Sequence, residues 1–344
     1  MQIWARQRSA WTLRVLLCGL SFLACQPAGA ADSPPKQSRP ALENLLKQLG
    51  FGVVPLKGGG GSQLFVDAKL GGRPRRFLVD TGCQLTTLDK SAAKNLKTLR
   101  ELGVRLDDPV LGESDDPSFV LIDEMQLRSA RLVNQLARIR SLYPLEYSIL
   151  GCDFFLRHNC LIDGADGRLY LRGQALKADA QDVLERSLTQ SGYHEARMVI
   201  GDTLLPTCDA SINSVPVKLA VATGSSLTIL DDGLAIRCGF RWEQTGQHFS
   251  APIWAGRVIK TRGAEPQSFR IDEVEVPHGL ILNWADMGEW PIGEKKSALK
   301  SVDGVFGADL LGVGRVLIDF PRRKLWFLPA PTSHKSPRPT PKTM

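Results

Sequence analysis

Residues 77–89 read FLVDTGCQLTTLD, and residues 219–231 read LAVATGSSLTILD. Each is an apolar run that enters a loop of small residues and leaves through Leu, Thr and Asp. The two stretches differ at one telling place: Asp80 precedes Thr-Gly in the first, and Ala222 precedes it in the second. The likeness widens on both sides. Asp67-Ala68 matches Asp209-Ala210 and Pro74 matches Pro216, all at an offset of 142. Further on, Ile122-Asp123-Glu124 matches Ile271-Asp272-Glu273 at an offset of 149, and Gly151, Asp153 and Leu161-Ile162-Asp163 match Gly307, Asp309 and Leu317-Ile318-Asp319 at 156. Internal similarity of this kind has to be read before any fold is assigned.

The offset grows between anchors, so the second copy carries insertions, and insertions collect in loops between structural elements. Two homologous lobes are therefore expected, over residues 51–172 and 193–329, joined by a helix within 173–192 (ALKADAQDVLERSL) and followed by a Pro-rich, basic tail, 330–344, read as disordered. Within each lobe the pattern is strand. QLFVDAKLGGRPRRFLVDT reads as a hairpin turning at Gly71-Gly72; LIDEMQL and RIDEVEV alternate with period two; CLIDGADGRLYL and VLIDFPRRKLWF read as hairpins. A short helix is expected after each Thr-Gly loop, with Asp89 and Asp231 as N-caps. The fold class is all-β.

A chain of 344 residues can bury two cores. Its net charge of +7 does not describe a nucleic-acid binder: three arginines near the N-terminus and three basic residues in the tail account for six of the seven, leaving +1 over residues 31–329 with no basic run. The N-terminus reads as an export signal over residues 1–30. Arg6, Arg8 and Arg14 precede the apolar VLLCGLSFLA, and Ala28-Gly29-Ala30 fits a signal-peptidase site. Leu23-Ala24-Cys25 supports a second reading, lipid attachment at Cys25, although Phe22 stands where such a box has Leu. Export into a periplasmic or extracellular space is expected, free or lipid-anchored. Five cysteines remain in the mature part, and in an oxidising compartment Cys152–Cys160 and Cys208–Cys238 are the pairs to expect. No C-x-x-C occurs and the histidines are scattered, so no metal or other cofactor is implied.

Val79-Asp80-Thr81-Gly82 behind an apolar strand, with Ile149-Leu150-Gly151 about seventy residues on and the whole pattern repeated, resembles the retropepsin-like aspartic peptidases. The resemblance covers nearly all of residues 51–329 and implies two retropepsin-like acid-protease lobes forming a pseudo-two-fold pair. In that family two loops meet at the axis so that two carboxylates share one proton around a water: the ionised one acts as base while the protonated one polarises the peptide carbonyl. Position by position, the resemblance makes Asp80 the catalytic carboxylate, Thr81 and Thr223 the cross-axis grip, and Gly82 and Gly224 the tight-turn residues. Ala222 departs from the pattern, as a degenerate catalytic position. Cys83 departs too, where Ser or Ala is usual, and reads as packing.

The implied partner is a peptide or protein substrate, and the implied state a monomeric pseudo-dimer. Two functions stay open. One is an aspartic endopeptidase in which Asp80 activates water, with a second carboxylate supplied by a second chain or by another residue such as Asp209, or with Asp80 alone sufficing for an easier reaction. The other is a weak or inactive pseudopeptidase that grips an extended peptide without cutting it. Losing a positioned acid or base costs about 10²–10⁴-fold. Asp153, Asp309, Asp163 and Asp319, matched between copies and beside turns, read as structural, and Asp123-Glu124 and Asp272-Glu273 as strand neighbours facing opposite sides. Hairpin flaps over the cleft are expected in residues 104–119 and 248–263, the second with Trp254 and Gly256 at its tip.

Overall fold

A computed structural model describes residues 39–59, 62–94, 118–142, 147–241, 248–252, 258–286 and 301–328. The export signal, Cys25, nearly all of the first expected flap, the tip of the second and the tail lie outside the described residues. The first half of the chain runs α1 (Arg39–Gln48), β1 (Gly52–Pro55), β2 (Phe65–Leu70), β3 (Arg73–Val79), β4 (Thr87–Asp89), α2 (Lys90–Ala93), β5 (Ser118–Leu127), β6 (Ala130–Arg140), β7 (Ser148–Leu150), α3 (Cys152–Arg157), β8 (Leu161–Asp163) and β9 (Arg168–Leu171). Strands β2, β3, β7, β4, β6 and β5 close into a barrel in that order. Its hairpins turn where the sequence places them. Gly71 and Gly72, both at positive φ, make the two-residue turn between β2 and β3, the geometry whose twist matches that of the flanking strands. Asp89 caps α2 by accepting from Ser91 N–H.

The second half runs α4 (Ala178–Gln190), β10 (His194–Arg197), β11 (Val199–Ile200), β12 (Pro206–Ile212), β13 (Val215–Val221), β14 (Ile229–Asp231), α5 (Asp232–Arg237), β15 (His248–Pro252), β16 (Val258–Ala264), β17 (Phe269–Ile271), β18 (Val274–Glu275), β19 (Leu282–Ala285), β20 (Gly304–Phe306), α6 (Ala308–Val313), β21 (Leu317–Asp319) and β22 (Lys324–Phe327). Its pairings repeat those of the first half. β13 lies parallel to β20 as β3 does to β7, and β14 parallel to β19 as β4 does to β6. Asp231 caps α5 as Asp89 caps α2. The architecture is all-β, as the sequence indicates.

Two details differ from the sequence reading. RIDEVEV is not one strand: Asp272 sits at φ 52 and turns the chain between β17 and β18. Its counterpart is the turn at Arg128 (φ 54) between β5 and β6, where Leu127 faces Ala130 as Ile271 faces Val274. The structural offset here is thus 144, and the Ile-Asp-Glu match at 149 is out of register. Asp123 and Glu124 also do not face opposite sides. The buried positions shift from Ile122 to Met125, opposite Asn134 at φ 53, so both carboxylates point outward and Glu124 pairs with Arg131 at 2.7 Å.

The halves are joined by a six-stranded sheet in the order β1-β9-β8-β21-β22-β10. At its centre Ile162 faces Ile318, flanked by Leu161–Asp319 and Asp163–Leu317, so the register is two-fold symmetric. On one face of this sheet α1 and α4 pack together, burying Leu46, Leu184, Leu188 and Trp326. Their sequences correspond: Leu42, Glu43, Leu46 and Gly50 align with Leu184, Glu185, Leu188 and Gly192 at an offset of 142, and both glycines end their helices at positive φ. Even the ion pairs correspond, Glu43 with Arg168 and Glu185 with Lys324.

Neither expected disulfide forms. Cys83, Cys152, Cys160, Cys208 and Cys238 are all buried, and no disulfide joins any two of them. Several already have local partners: Cys152 donates to Thr81 O at 2.9 Å and Cys160 faces its own turn at His158 O, 3.8 Å. Spacing in sequence does not determine the short Cβ–Cβ approach that a bridge needs.

Candidate active site

Strand β3 delivers Asp80 and β13 delivers Ala222 to the pseudo-two-fold axis. Each is anchored by its own backbone: Asp80 N–H donates to Leu150 O and Ala222 N–H to Phe306 O, both at 3.0 Å. The next residues cross over. Thr81 Oγ1 donates to Val221 O at 2.6 Å and accepts from Thr223 N–H at 3.1 Å; Thr223 Oγ1 donates to Val79 O at 2.5 Å and accepts from Thr81 N–H at 3.1 Å. Both threonines are buried. Four hydrogen bonds therefore lock the loops, and every one is matched by its mate under the two-fold.

The symmetry ends at the side chains of residues 80 and 222. Asp80 is 1 % exposed, and its Oδ1 accepts from Gly82 N–H at 2.8 Å and from Gly224 N–H at 3.1 Å, one donor from each loop. Two backbone N–H groups, one from each loop, fix the orientation of the carboxylate. Across the axis stands the methyl of Ala222. A Cβ placed on Gly82 would lie 2.7 Å from Ala222 Cβ and 3.1 Å from Asp80 Oδ1, so methyl and carboxylate converge on one point. A Cβ on Gly224 would lie 2.2 Å from Asp80 Cγ. Both glycines are thus required by close approach rather than by φ.

Beneath each loop sits a matching support. Thr86 N–H and Oγ1 bond to Asp153 Oδ1 at 2.7 and 2.9 Å, and Thr228 N–H and Oγ1 bond to the Asp309 carboxylate at 2.8 and 2.7 Å. Gly151 and Gly307 let the chain pass close against Leu85 and Leu227. Burial pushes Asp153 up to about 6 and raises Asp309 as well. These carboxylates therefore hold loops in place. Asp163 accepts from Ala165 and Asp166 N–H, and Asp319 binds Arg322 and Trp326, so both serve turns of the central sheet. Cys83 takes the place that Ser225 takes in the other copy: Sγ bonds Leu85 O at 3.1 Å as Oγ bonds Leu227 O at 2.7 Å. Asp209 lies on the exposed face of β12, opposite Lys218.

Three further residues that the sequence reading did not single out reach the site. The Gln63 amide, after the glycine run 58–61, donates to Gly224 O, and the Gln84 amide donates to Thr203 O, so each crosses between the halves. Tyr147, stacked edge-on against Phe65 with centroids 5.2 Å apart, is raised by burial and by the charge of Asp80. The glycine run was the available hint, since four glycines in series mark a backbone that must pass close to something.

Residues 66–154 match the aspartyl protease family model, which bears out the retropepsin-like resemblance for the part of the chain that carries Asp80. No curated protein matches the sequence. Among solved structures the chain is similar to a retropepsin-like aspartic protease from Rickettsia conorii, with 17% identity, TM-score 0.26, and 36% of this chain and 90% of that one covered. It is also similar to basic 7S globulin from soybean, with 10% identity, TM-score 0.46, and 81% of this chain and 94% of that one covered.

Proposed function

We propose, from the aspartyl protease match over residues 66–154, that this protein hydrolyses peptide bonds with Asp80 as the group that activates water. The observation that carries the reading is the carboxylate of Asp80, buried between the loops and held by N–H groups from both. Asp80 takes a proton from water as the oxygen adds to the peptide carbonyl, and that proton later passes to the departing amine. A rigid, desolvated base is what this step needs, because no reorganisation is then required at the moment of reaction.

One observation favours a second reading, a peptide-binding module that does not cut. The methyl of Ala222 occupies the place of the acid that would polarise the carbonyl. In that reading the cleft and the grip are retained for holding an extended chain. Cleavage of a peptide library across about pH 3 to 7, for the wild type and Asp80→Asn, decides between them. Cleavage by the wild type that vanishes in Asp80→Asn supports hydrolysis. Peptide capture without cleavage by the wild type supports the binding module.

The same proposal includes export through residues 1–30, and two lobes derived by internal duplication, which the matching pairings and helices support. Fractionation of producing cells, with the mass of the mature N-terminus, tests export. Cleavage after Ala30 gives a free protein; a lipidated Cys25 gives an anchored one.

A further inference from the structure

Four adjoining strands of the barrel, in the order β3-β2-β5-β6, carry a basic outer face. Lys69 stands between Pro74 on β3 and Gln126 on β5, and Gln126 faces Arg131 on β6. Arg73 follows the Gly71-Gly72 turn, Arg128 makes the neighbouring turn, and Arg76 lies opposite Asp67. These cations are exposed, as is Lys57 beside Asp67, and Arg75 is half-buried. The sequence spreads them over residues 57–131, and folding gathers them. The acidic residues of this face are fewer. Asp67 is taken up by Lys57 and by Arg76 at 3.5 Å, Glu124 by Arg131 at 2.7 Å, and Asp123 is exposed next to Glu124. Lys69, Arg73, Arg75 and Arg128 make no ion pair among the described residues, so the face keeps a net positive charge.

The second half makes the same pairings with different residues. Ser211 stands between Pro216 and Arg270, and Arg270 faces Glu275. Val215 and Val217 take the places of Arg73 and Arg75, Asp272 that of Arg128, and Val199 that of Lys57. The basic residues on that face are Lys218, in the place of Arg76 and opposite Asp209, and Arg270, which pairs with Glu273 at 3.1 Å. The two hairpins therefore form without the cations at positions 69, 73, 75, 128 and 131. Like charges gathered on one face repel one another and work against the compact state. A surface of opposite charge would relieve that repulsion.

We propose that this face binds an anionic phospholipid surface. The outer wall of a closed barrel is convex, so its side chains diverge and cannot enclose a small oxyanion. Closure also leaves no free strand edge here for an extended peptide to join. A bilayer presents a dense, fluid array of phosphates that adjusts to scattered cations. The four strands lie about 4.8 Å apart, so neighbouring charges fall within the screening length of about 10 Å and attract such an array together. Val133, two residues along β6 from Arg131 and 55 % exposed, adds an apolar contact of the kind that interfacial surfaces use. Arg73 and Asp80 stand at opposite ends of β3, roughly 20 Å apart along the strand, so the face is separate from the Thr-Gly loops.

The test is co-sedimentation of the chain from residue 31 onward, which keeps every described residue, with vesicles of phosphatidylcholine alone or mixed with phosphatidylglycerol. Binding to the mixed vesicles only is expected at about 0.05 M salt, with loss of most of it at about 0.5 M. Lys69→Gln, Arg73→Gln and Arg128→Gln, at exposed positions without ion pairs, should each weaken the partition roughly fivefold, and the triple variant by about 10²-fold. Lys218→Gln removes the same charge from the second half and should leave it unchanged. No excess binding to the mixed vesicles overturns the proposal. So does an equal loss in Lys218→Gln, which would make the attraction a matter of net charge. Tighter binding to soluble polyglutamate than to vesicles of equal charge would assign the face to an acidic polypeptide and overturn the lipid assignment.

Discussion

Thr81 and Thr223 each use one hydroxyl twice, donating to a carbonyl of the other copy and accepting from the other threonine's N–H. The consequence is that neither loop has a conformation of its own; each is defined by its mate. Deleting one hydroxyl leaves a buried N–H and a buried carbonyl without partners, at about 1–3 kcal/mol for each group. Thr81→Ala and Thr223→Ala should each lower stability by about 2–4 kcal/mol, while Thr→Ser should restore most of it. Because the bonds form one network, the double variant should cost less than the sum. Urea unfolding of the four proteins checks this, and strict additivity would refute a shared network.

Gly224 is held by a contact rather than by its backbone angles. A methyl there would fall 2.2 Å from Asp80 Cγ, so Gly224→Ala must displace the carboxylate and break its bond to Gly224 N–H. Any peptide cleavage or capture that depends on Asp80 should be lost. Gly82→Ala meets the Ala222 methyl at 2.7 Å and Asp80 Oδ1 at 3.1 Å. Adding Ala222→Gly to Gly82→Ala should recover part of the stability. A failure to recover would mean that the clash with Asp80, not with Ala222, dominates.

The pH dependence of stability should carry the signature of Asp153. Burial raises its folded pKa to about 6, against an ordinary value of 3.8. The native state then holds this proton more tightly than the unfolded chain does. Its contribution is complete below the ordinary value and is lost as pH rises through about 6. Asp153→Asn keeps the Oδ1 acceptor for Thr86 and removes the titration. The urea midpoint of the wild type, relative to Asp153→Asn, should fall between about pH 4 and about pH 6; a constant difference would show that Asp153 does not titrate in this range.

How far the sequence could be read depends on whether a contact is local. The turns at Gly71-Gly72, the caps at Asp89 and Asp231, and the Thr-Gly loops are set by neighbouring residues, and each was legible. Arg128 and Asp272 share a turn at positive φ, yet an accidental Ile-Asp-Glu match five residues out of step concealed it. The correspondence of α1 and α4 rests on a few leucines, one glutamate and one glycine, too thin a pattern to separate from ordinary helix composition. Gln63 and Gln84 act across the interface between halves, and no periodicity encodes such a contact. The cysteines fail for the same reason: pairing depends on the direction of Cβ in space.

The five buried thiols make a separate prediction. In the chain from residue 31 onward none should react with a thiol reagent under native conditions, and all five should react once it is unfolded without reductant. Burial raises Cys152 and Cys160 well above the usual thiol range, and raises Cys238 to about 11, so thiolate is scarce even where reagent can enter. Fewer than five reactive groups after unfolding would reveal a disulfide and reopen the pairing.

Ala222→Asp is the most direct test of what the second loop has kept. The backbone at Ala222 is anchored to Phe306 O as Asp80 is to Leu150 O, and Gly224 follows it as Gly82 follows Asp80. A carboxylate at 222 should therefore find the two N–H groups that already serve Asp80, and should meet Asp80 around the point where methyl and carboxylate now converge. Two carboxylates so close cannot both ionise, so they share a proton and their pKa values separate. Peptide cleavage should rise by about 10²-fold or more, with a bell-shaped optimum in the acid range. Asp80→Asn in the same background should abolish it. A folded Ala222→Asp that gains nothing would mean that the cleft has diverged beyond position 222, and that the loops now serve binding alone.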